Sequence, residues 1–452
     1  MTETPSSQNR LFDRIFRGSL AGFLYLYVIS MAGIAASMGY ALTHGKSAID
    51  RPTRNSLLIL SGLLMLSSLF AYDRGEAFLQ LIHFLPFFLL FAVLPHFLKN
   101  AERLALLTTD WVIATIPINL YAIVEAVLKA DGLPRSLRRI PFVRWIRSAP
   151  HAGRAMVMFN HPNSLAVYLV VILALGLGVL YYQSVRQSFK PDSSPGETAP
   201  PRLPSLRQRL LYVGTYSTLL GIFSSGSRNG LLIAILLILV YSILNRSNRI
   251  VLMAGLISLT GIMAGAIGFG IGGRSLSLTW LDDSRLRIWQ IAGGLIHDRP
   301  WLGWGLGNFK FLYVDRLLAQ FPECVAQRRV YRVIPVECAD ATHPHNFWLL
   351  LTSEAGFPLA IGFTLFIGWL CFRAGRAIFL DPAKDLDAVK DPNLIRSNRQ
   401  ALLTGYLLAV LAFSAFALFD VTYHDIRVNL LNWLALGGLY TLIPKSNPAS
   451  QS

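Results

Sequence analysis

The chain is poor in charged residues and nearly free of cysteine. Charged residues make up 15% of its 452 positions, whereas a soluble domain carries about a quarter. Its three cysteines are too few for a disulfide-stabilised secreted scaffold. The same composition excludes intrinsic disorder, collagen and coiled coil. A polytopic membrane protein is the class that remains.

Apolar residues are abundant, at 53% of the chain with a mean hydropathy of +0.48. A bilayer crossing needs about 20 mostly apolar residues, which fold as a helix because lipid offers the backbone no hydrogen bonds. Eleven stretches are long enough or nearly so: 18–42, 55–72, 76–98, 104–129, 164–183, 209–224, 229–245, 250–271, 347–372, 401–419 and 428–443. We therefore expect an all-α polytopic membrane protein of about 11–12 transmembrane helices.

The positive charges predict an orientation. We assume that the long segment 272–346 lies outside, and we leave it out of the charge count because the positive-inside rule does not apply to long loops. The inside loops then carry 18 Lys and Arg, and the remaining outside loops carry 9. Eleven spans would put the N-terminus outside, although Arg10, Arg14 and Arg17 favour the inside. Two short passes within 18–42 would give twelve spans and remove the conflict.

Three regions follow from this reading. Residues 1–271 form an N-terminal transmembrane bundle, 272–346 form a large, partly helical loop, and 347–452 form the C-terminal transmembrane helices with a cytoplasmic tail. Within the first region, 184–208 is rich in Pro and Ser and predicts a cytoplasmic linker. Segment 130–163 predicts an outside loop.

The outside loops are basic through arginine, which supplies 17 of their 18 positive charges. Arginine binds phosphate oxygens bidentately, so an anionic ligand is expected on that side. The alternative explanation of the arginine excess is a general arginine bias of the genome. In 130–163, arginines interleave with apolar residues as in a helix that lies in the membrane interface. Lipid anchoring and substrate-phosphate binding are both open for it. Nucleic acid is not expected, because basic residues occur on both faces.

The long loop contains two local patterns. The stretch DDSRLRIWQIAGGLIHDRP predicts an amphipathic helix that ends at Asp298, followed by a turn through Gly303, Gly305 and Gly307. The glycines do not form a dinucleotide fingerprint, because no strand precedes them. Cys324 and Cys338 can form a disulfide in an oxidising compartment.

Ionisable residues mark the end of this loop and the next span. His343 and His345 could bind a metal, but two ligands are too few and no third lies nearby in the sequence, so no metal and no cofactor are expected. His345 is suited to act as a general base. The alternative is that His345 is only a polar residue at the membrane interface. Glu354 lies within a span, where it could orient a loop or contact substrate. Glu125 is explained by an i,i+4 pair with Lys129.

The arginines fall on the same side as the histidines. Arg228 occurs in a tight Ser/Gly turn between two spans, and Arg154 precedes the span at 164–183. Together with Arg285 and His345 they can share one cavity at the membrane surface. Arginines beside a histidine base suit transfer from a phosphate leaving group to a hydroxyl.

At this point the sequence resembles the O-antigen ligase and polymerase superfamily of bacterial inner-membrane glycosyltransferases. Four stretches carry the resemblance, which covers about residues 150–370: GRAMVMFNHPNSLA, GSRNGLL, SRLRIWQ…HDRPWLGWGLGNF and HPHNFWLLLTSEAGF. Members look like twelve-span proteins with the large loop in the periplasm.

The resemblance implies metal-independent, inverting transfer of a glycan from undecaprenyl diphosphate to an acceptor. Arg228 and Arg285 match the diphosphate-binding arginines, with Arg285 preferred to Arg287 because it lies four residues before the tryptophan. His345 matches the proposed base and His343 is a weaker candidate. Residues expected to contact substrate are Arg154, Arg287, His343, Asn346 and Glu354.

The favoured activity is O-antigen ligation onto lipid A-core. A polymerase and a protein O-oligosaccharyltransferase share these motifs and remain open. A transporter of a small anion such as bicarbonate is disfavoured, since the charged residues cluster at the surface rather than at the midplane. An assembly partner that acts through the large loop is a third possibility. The residues do not determine the oligomeric state.

Overall fold

A computed structural model describes residues 7–44, 48–98, 100–130, 133–151, 153–188, 205–245, 283–325, 338–380 and 392–444, with isolated positions in 253–261. Most of the predicted linker 184–208, most of the predicted span 250–271 and two parts of the long loop lie outside the described residues. The described secondary structure is helical throughout, which confirms the all-α polytopic class.

The helices of the first half are α1 (Ser7–Gly22), α2 (Tyr27–His44), α3 (Arg51–Leu69), α4 (Arg74–Gln80), α5 (Leu85–Phe97), α6 (Ala101–Ala114), α7 (Ile116–Lys129), α8 (Arg135–Arg138), α9 (Pro141–Ser148), α10 (Pro162–Ser188), α11 (Leu206–Ser224) and α12 (Arg228–Leu244). Those of the second half are α13 (Asp283–Asp298), α14 (Phe309–Gln320), α15 (Phe347–Phe379), α16 (Pro392–Ala417) and α17 (Ile426–Leu442).

Within the described residues, five helices are long and apolar enough to cross a membrane. They cover Arg74–Phe97, Ala101–Lys129, Pro162–Gln187, Phe347–Phe379 and Asn398–Ala417, and the apolar helix Arg228–Leu244 is shorter. Several other predicted spans, among them α3 and α11 with 19 residues each, are helical but do not combine this length with the same hydropathy, so the predicted total of 11–12 crossings stays a prediction.

The sequence 18–42 does not form one continuous helix. A turn after Gly22 separates α1 from α2, and the two helices pack against each other. Helix α1 carries Arg17, which lies 3.8 Å from Asp110 of α6, and its Asp13 pairs with Arg103. The segment 18–42 thus comprises the end of α1 and most of α2, and the two membrane passes expected within it stay a prediction.

Helix α10 forms the centre of the bundle. Its apolar window is 94% buried by protein, and it runs antiparallel to α16 with Gly178 against Gly405. Any side chain at either glycine would collide with the opposing backbone, so the two helices can approach this closely only with glycine. The pairing brings the start of α10 and the end of α16 to the same end of the bundle, here called the loop face.

Segment 130–163 contains the short amphipathic helix α9, which follows the single turn of α8. Val143 and Ile146 are buried, whereas Phe142 and Trp145 are exposed. Pro141 is the first residue of α9, where proline fits a helix. The exposed aromatic side chains are typical of a helix at a membrane interface.

The described part of the long loop contains α13, a glycine-rich turn and α14. As predicted, α13 ends at Asp298 and a glycine-rich turn follows. In this turn Gly303, Gly305 and Gly307 all have positive φ. The turn docks onto a kink in α15: Trp304 N donates to Ser353 O at 3.0 Å and Gly305 N to Glu354 O at 2.7 Å. The turn and the kink thus form one unit that holds α13 on the loop face.

Candidate functional site

The centre of the site is a contact between His345 and Asp420. His345 Nδ1 lies 3.2 Å from Asp420 Oδ1, and the two residues come from the start of α15 and the turn after α16. The Asp420 side chain is 4% exposed and that of His345 is 36% exposed. A buried carboxylate therefore orients a histidine that still faces solvent.

Asp420 is held from two sides. Val421 N donates to Oδ1 at 2.8 Å, and Asn163 Nδ2 donates a short hydrogen bond to Oδ2. Asn163 lies in the first turn of α10, so the antiparallel α10–α16 pairing supplies this contact. These bonds fix the carboxylate and leave one of its oxygens directed at His345.

Arg154 continues the network away from the histidine. Its Nη2 donates to Asn163 Oδ1 at 2.8 Å and its Nε to Ser225 O at 2.8 Å. Arg154 is 4% exposed, so it holds the turn before α12 rather than presenting a charge to solvent. The expectation that Arg154 contacts substrate conflicts with this burial.

A buried ion pair supports the loop that carries Arg154. Lys129 Nζ lies 2.8 Å from Glu125 Oε1, which agrees with the predicted i,i+4 pair. Glu125 Oε2 also accepts from the amides of Met156 and Val157, and Lys129 donates to Arg154 O. The pair fixes the backbone of the loop, a role that its sequence spacing did not indicate.

Arg228 lies beside this network but faces outward. It is the first residue of α12, it is exposed, and Ser227 caps the helix by accepting from Gly230 N at 3.3 Å. The helix N-terminus and the guanidinium favour negative charge in the same place. Arg228 is therefore suited to contact an anionic group.

The long loop reaches the site through Trp289. Its Nε1 donates to Pro344 O at 2.9 Å, and Pro344 lies between the two histidines. Arg285 lies one helical turn before Trp289, so both residues are on the same face of α13. Arg285 is thus placed on the side of α13 that carries the contact with the histidine segment.

Arg287 has a different environment. Its Nη1 lies 3.1 Å from Glu323 Oε1, and its guanidinium stacks over Phe321 at 4.7 Å. It also lies 3.7 Å from Sγ of Cys324, which is disulfide-bonded to Cys338 with the Cα atoms 5.4 Å apart. These contacts make Arg287 a brace for the end of α14, contrary to the expectation that it contacts substrate.

Glu354 is also structural. It is 2% exposed, and its Oε1 accepts from Phe309 N at 3.1 Å beneath the glycine-rich turn. Of its two expected roles, loop orientation agrees with this position and substrate contact does not. Asn346 caps α15 by accepting from Leu349 N and donates to Leu418 O, so it joins the two chain segments that carry His345 and Asp420.

Backbone strain concentrates around the site. The non-glycine residues with positive φ among the described positions are His151, Val157 and His345, with φ of 64°, 56° and 49°. L-residues adopt this region at a cost, and such residues cluster at functional sites. The surrounding bonds to Glu125 and Asp420 keep two of these segments in place.

The protonation states suit a histidine–carboxylate pair. Burial raises the pKa of Asp420, but the hydrogen bond from His345 and the nearby histidine charges outweigh it and hold that pKa well below its usual range. Burial lowers the pKa of His343 to about 4, and nearby His345 adds to the effect. Burial likewise lowers the pKa of His161 to about 4, against the opposing charge of Asp420. At neutral pH, Asp420 is ionised and these two histidines are neutral.

His343 orients the site and completes a set of three metal-type ligands. Its Nδ1 accepts from His345 N at 3.3 Å. His343, His345 and Asp420 each offer a ligand atom, and these atoms lie within 4.8 Å of one another. The sequence next to the two histidines offers no third ligand. In the structure, Asp420 in the turn after α16 supplies a potential one.

Sequence reasoning missed Asp420, Asn163 and Trp289 as parts of the site. Asn163 and Trp289 occur in stretches that carried the family resemblance. Asp420 occurs in the short segment FDVTYHD between two apolar stretches, so an acidic residue in a membrane-surface turn was its only signal.

The fold and the site together define a polytopic helical membrane protein with a histidine–carboxylate pair and exposed arginine at one end of its bundle. Residues 213–364 match a family described as O-antigen ligase, which confirms the resemblance seen in the motifs. The family is one of glycosyltransferase-type enzymes with lipid-linked glycan substrates. The matched segment includes Arg228, Arg285 and His345, whereas Asp420 lies beyond it. A search of curated proteins finds no match.

Proposed function

We propose that the chain transfers a glycan from undecaprenyl diphosphate to an acceptor hydroxyl by a metal-independent, inverting mechanism, with lipid A-core as the acceptor. The observation that carries the proposal is the contact between partly exposed His345 and buried Asp420 beside the N-terminus of α12. The loop face would then be periplasmic and the membrane the bacterial inner membrane, in agreement with the positive-inside count.

His345 acts as the general base in this mechanism. The acceptor hydroxyl gives its proton to the imidazole as its oxygen attacks the anomeric carbon. Ionised Asp420 stabilises the imidazolium that forms, as the carboxylate does in a catalytic triad. The bonds of Asn163 and Val421 to Asp420 keep the carboxylate aligned with His345 without substrate.

The arginines act on the leaving group. As the new bond forms, the bond between the anomeric carbon and the diphosphate oxygen breaks, and negative charge grows on undecaprenyl diphosphate. Arg228 and Arg285 stabilise this charge, since guanidinium groups bind phosphate oxygens bidentately. Attack on the face opposite the diphosphate inverts the anomeric carbon.

The test is an in vitro transfer assay on purified protein with an undecaprenyl-diphosphate-linked glycan and lipid A-core. We expect glycan-bearing lipid A-core from the wild type, its loss in His345→Ala, and retention in His297→Ala, which alters an exposed histidine at the end of α13. Chelator should leave the activity intact.

Two other products would redirect the proposal. Longer glycans on the carrier without transfer to lipid A-core would identify a polymerase, and a glycosylated protein acceptor would identify a protein transferase. The absence of transfer with several donors and acceptors, together with anion uptake into proteoliposomes, would overturn the enzyme assignment.

A further inference from the structure

The geometry points to a binding site for a divalent transition metal ion, with Zn²⁺ as the best-suited ion, formed by His343, His345 and Asp420. Two imidazole nitrogens and one carboxylate oxygen are the ligand types that zinc takes in proteins. Their atoms lie within 4.8 Å of one another, which a small closure of the side chains brings to bonding distance around one ion.

The available nitrogens are defined by the local hydrogen bonds. Nδ1 of His343 accepts from the His345 amide, which leaves Nε2 of His343 as its nitrogen for a metal. Nδ1 of His345 already lies 3.2 Å from Asp420 Oδ1, so an ion entering between them replaces this contact. Because His345 is partly exposed, the ion can enter from solvent and retain a water as its fourth ligand.

The surroundings provide the second layer that metal ligands need. Asn163 and Val421 N hold the carboxylate of Asp420, and Trp289 holds Pro344 between the two histidines. Such outer contacts orient ligands and raise metal affinity. The mixed nitrogen and oxygen set favours Zn²⁺, Co²⁺, Ni²⁺ or Cu²⁺, whereas Mg²⁺ and Ca²⁺ prefer oxygen ligands alone.

The consequence for activity rests on the function proposed above. An ion bound at His345 Nδ1 draws electron density from the imidazole, which makes Nε2 a poorer acceptor of the proton from the acceptor hydroxyl, and it cancels the charge of Asp420. Zn²⁺ is therefore an inhibitor of transfer rather than a cofactor. This predicts a chelator-reversible loss of activity in zinc, with no loss in magnesium.

Binding is tested first, without any activity. Chelator-treated protein in detergent is titrated with Co²⁺, followed by its visible absorption, and with Zn²⁺ by calorimetry. We expect about one ion per chain in the wild type and His297→Ala, and at least a tenfold weaker binding in Asp420→Asn and His343→Gln. Size-exclusion chromatography and thermal unfolding check the fold of each variant, and His345→Gln replaces any variant that does not fold.

Two results would overturn the site: no bound ion in the wild type, or equal affinity in wild type and ligand variants. Binding that is lost in the ligand variants upholds the site even if no transfer activity is found, in which case only the proposed function fails. Active enzyme that binds Zn²⁺ at this site yet transfers at its full rate would overturn the inhibition.

Discussion

The two sides of the site are built differently. On the bundle side, Arg154, Asn163 and Asp420 form a chain of buried hydrogen bonds that joins α10, the turn before α12 and the end of α16. On the loop side, α13 is joined to the histidine segment by the hydrogen bond from Trp289 to Pro344. Among the described residues, the bundle side therefore fixes the base through several buried hydrogen bonds, while the loop side carries Arg285 on a helix joined to the histidine segment through Trp289.

This difference separates positioning from binding. Removing one member of a buried hydrogen-bond network lowers the stability of the folded protein strongly, because its partners stay buried without a hydrogen bond. Replacing an exposed or partly exposed arginine removes mainly its contact with substrate. Substitutions on the two sides should therefore change different quantities.

The largest effect is expected from Asp420→Asn. The amide keeps the shape but cannot stabilise a charged His345, so kcat in the transfer assay should fall by about 10²–10⁴-fold, with KM little changed. Asp425→Asn is the matched control, since Asp425 caps α17 in the same segment and asparagine caps equally well. Equal activity in the two variants would remove Asp420 from the mechanism.

The next effect distinguishes the two neighbouring arginines of α13. Arg285→Ala should lower kcat/KM by about 10²-fold, because a guanidinium contact to the leaving diphosphate is lost. Arg287→Ala should keep most activity and instead lower the midpoint of thermal unfolding, because its partners are Glu323 and Phe321. The reverse pattern would exchange the roles assigned to the two residues.

A smaller effect is expected from removing the disulfide of the loop side. Replacing Cys324 and Cys338 together by serine should destabilise the loop by about 3 kcal/mol, the chain-entropy value for a closed loop of this length. Limited proteolysis and thermal unfolding would measure the change, with Cys371→Ser as the control outside the pair. Two free thiols by mass mapping in native membranes would contradict the bridge.

The smallest effect is a loss of stability in mild acid. The pKa of His161 and of His343 is lowered by burial to about 4, from an ordinary value of 6.5. Between these values the unfolded chain binds protons that the folded chain does not, so stability falls as pH falls from about 6.5 to 4. The thermal midpoint should drop between pH 7.5 and 5, and less so in His161→Gln than in His297→Gln. Equal drops would show that burial of His161 is not the cause.

Much of the loop side could be predicted from the sequence. The amphipathic pattern predicted a helix that ends at Asp298, and the three glycines predicted the turn that follows it, because these features depend on residues close in the chain. The preference for Arg285 over Arg287 as the diphosphate-binding residue stays a prediction. The position of Glu354 beneath the glycine-rich turn could not be predicted, since its amide partner at Phe309 lies 45 residues away.

The bundle side could not be predicted in the same way. Asn163 and Asp420 are 257 residues apart, and they meet because α10 and α16 are antiparallel and cross at Gly178 and Gly405. Periodicity and hydropathy describe each helix separately and contain no information about which helices pack together. The burial of Arg154 could not be predicted for the same reason.

The sequence by itself determined that this is an all-α membrane protein with one long loop and with basic, arginine-rich outside loops. It also determined that His345 and Arg285 belong to family motifs. These properties follow from composition and from short-range pattern. Only the tertiary structure decided that Asp420 is the partner of His345 and that Arg154, Arg287 and Glu354 serve as supports. Hydrogen bonds between distant segments assign those roles, and they exist only once the helices have packed.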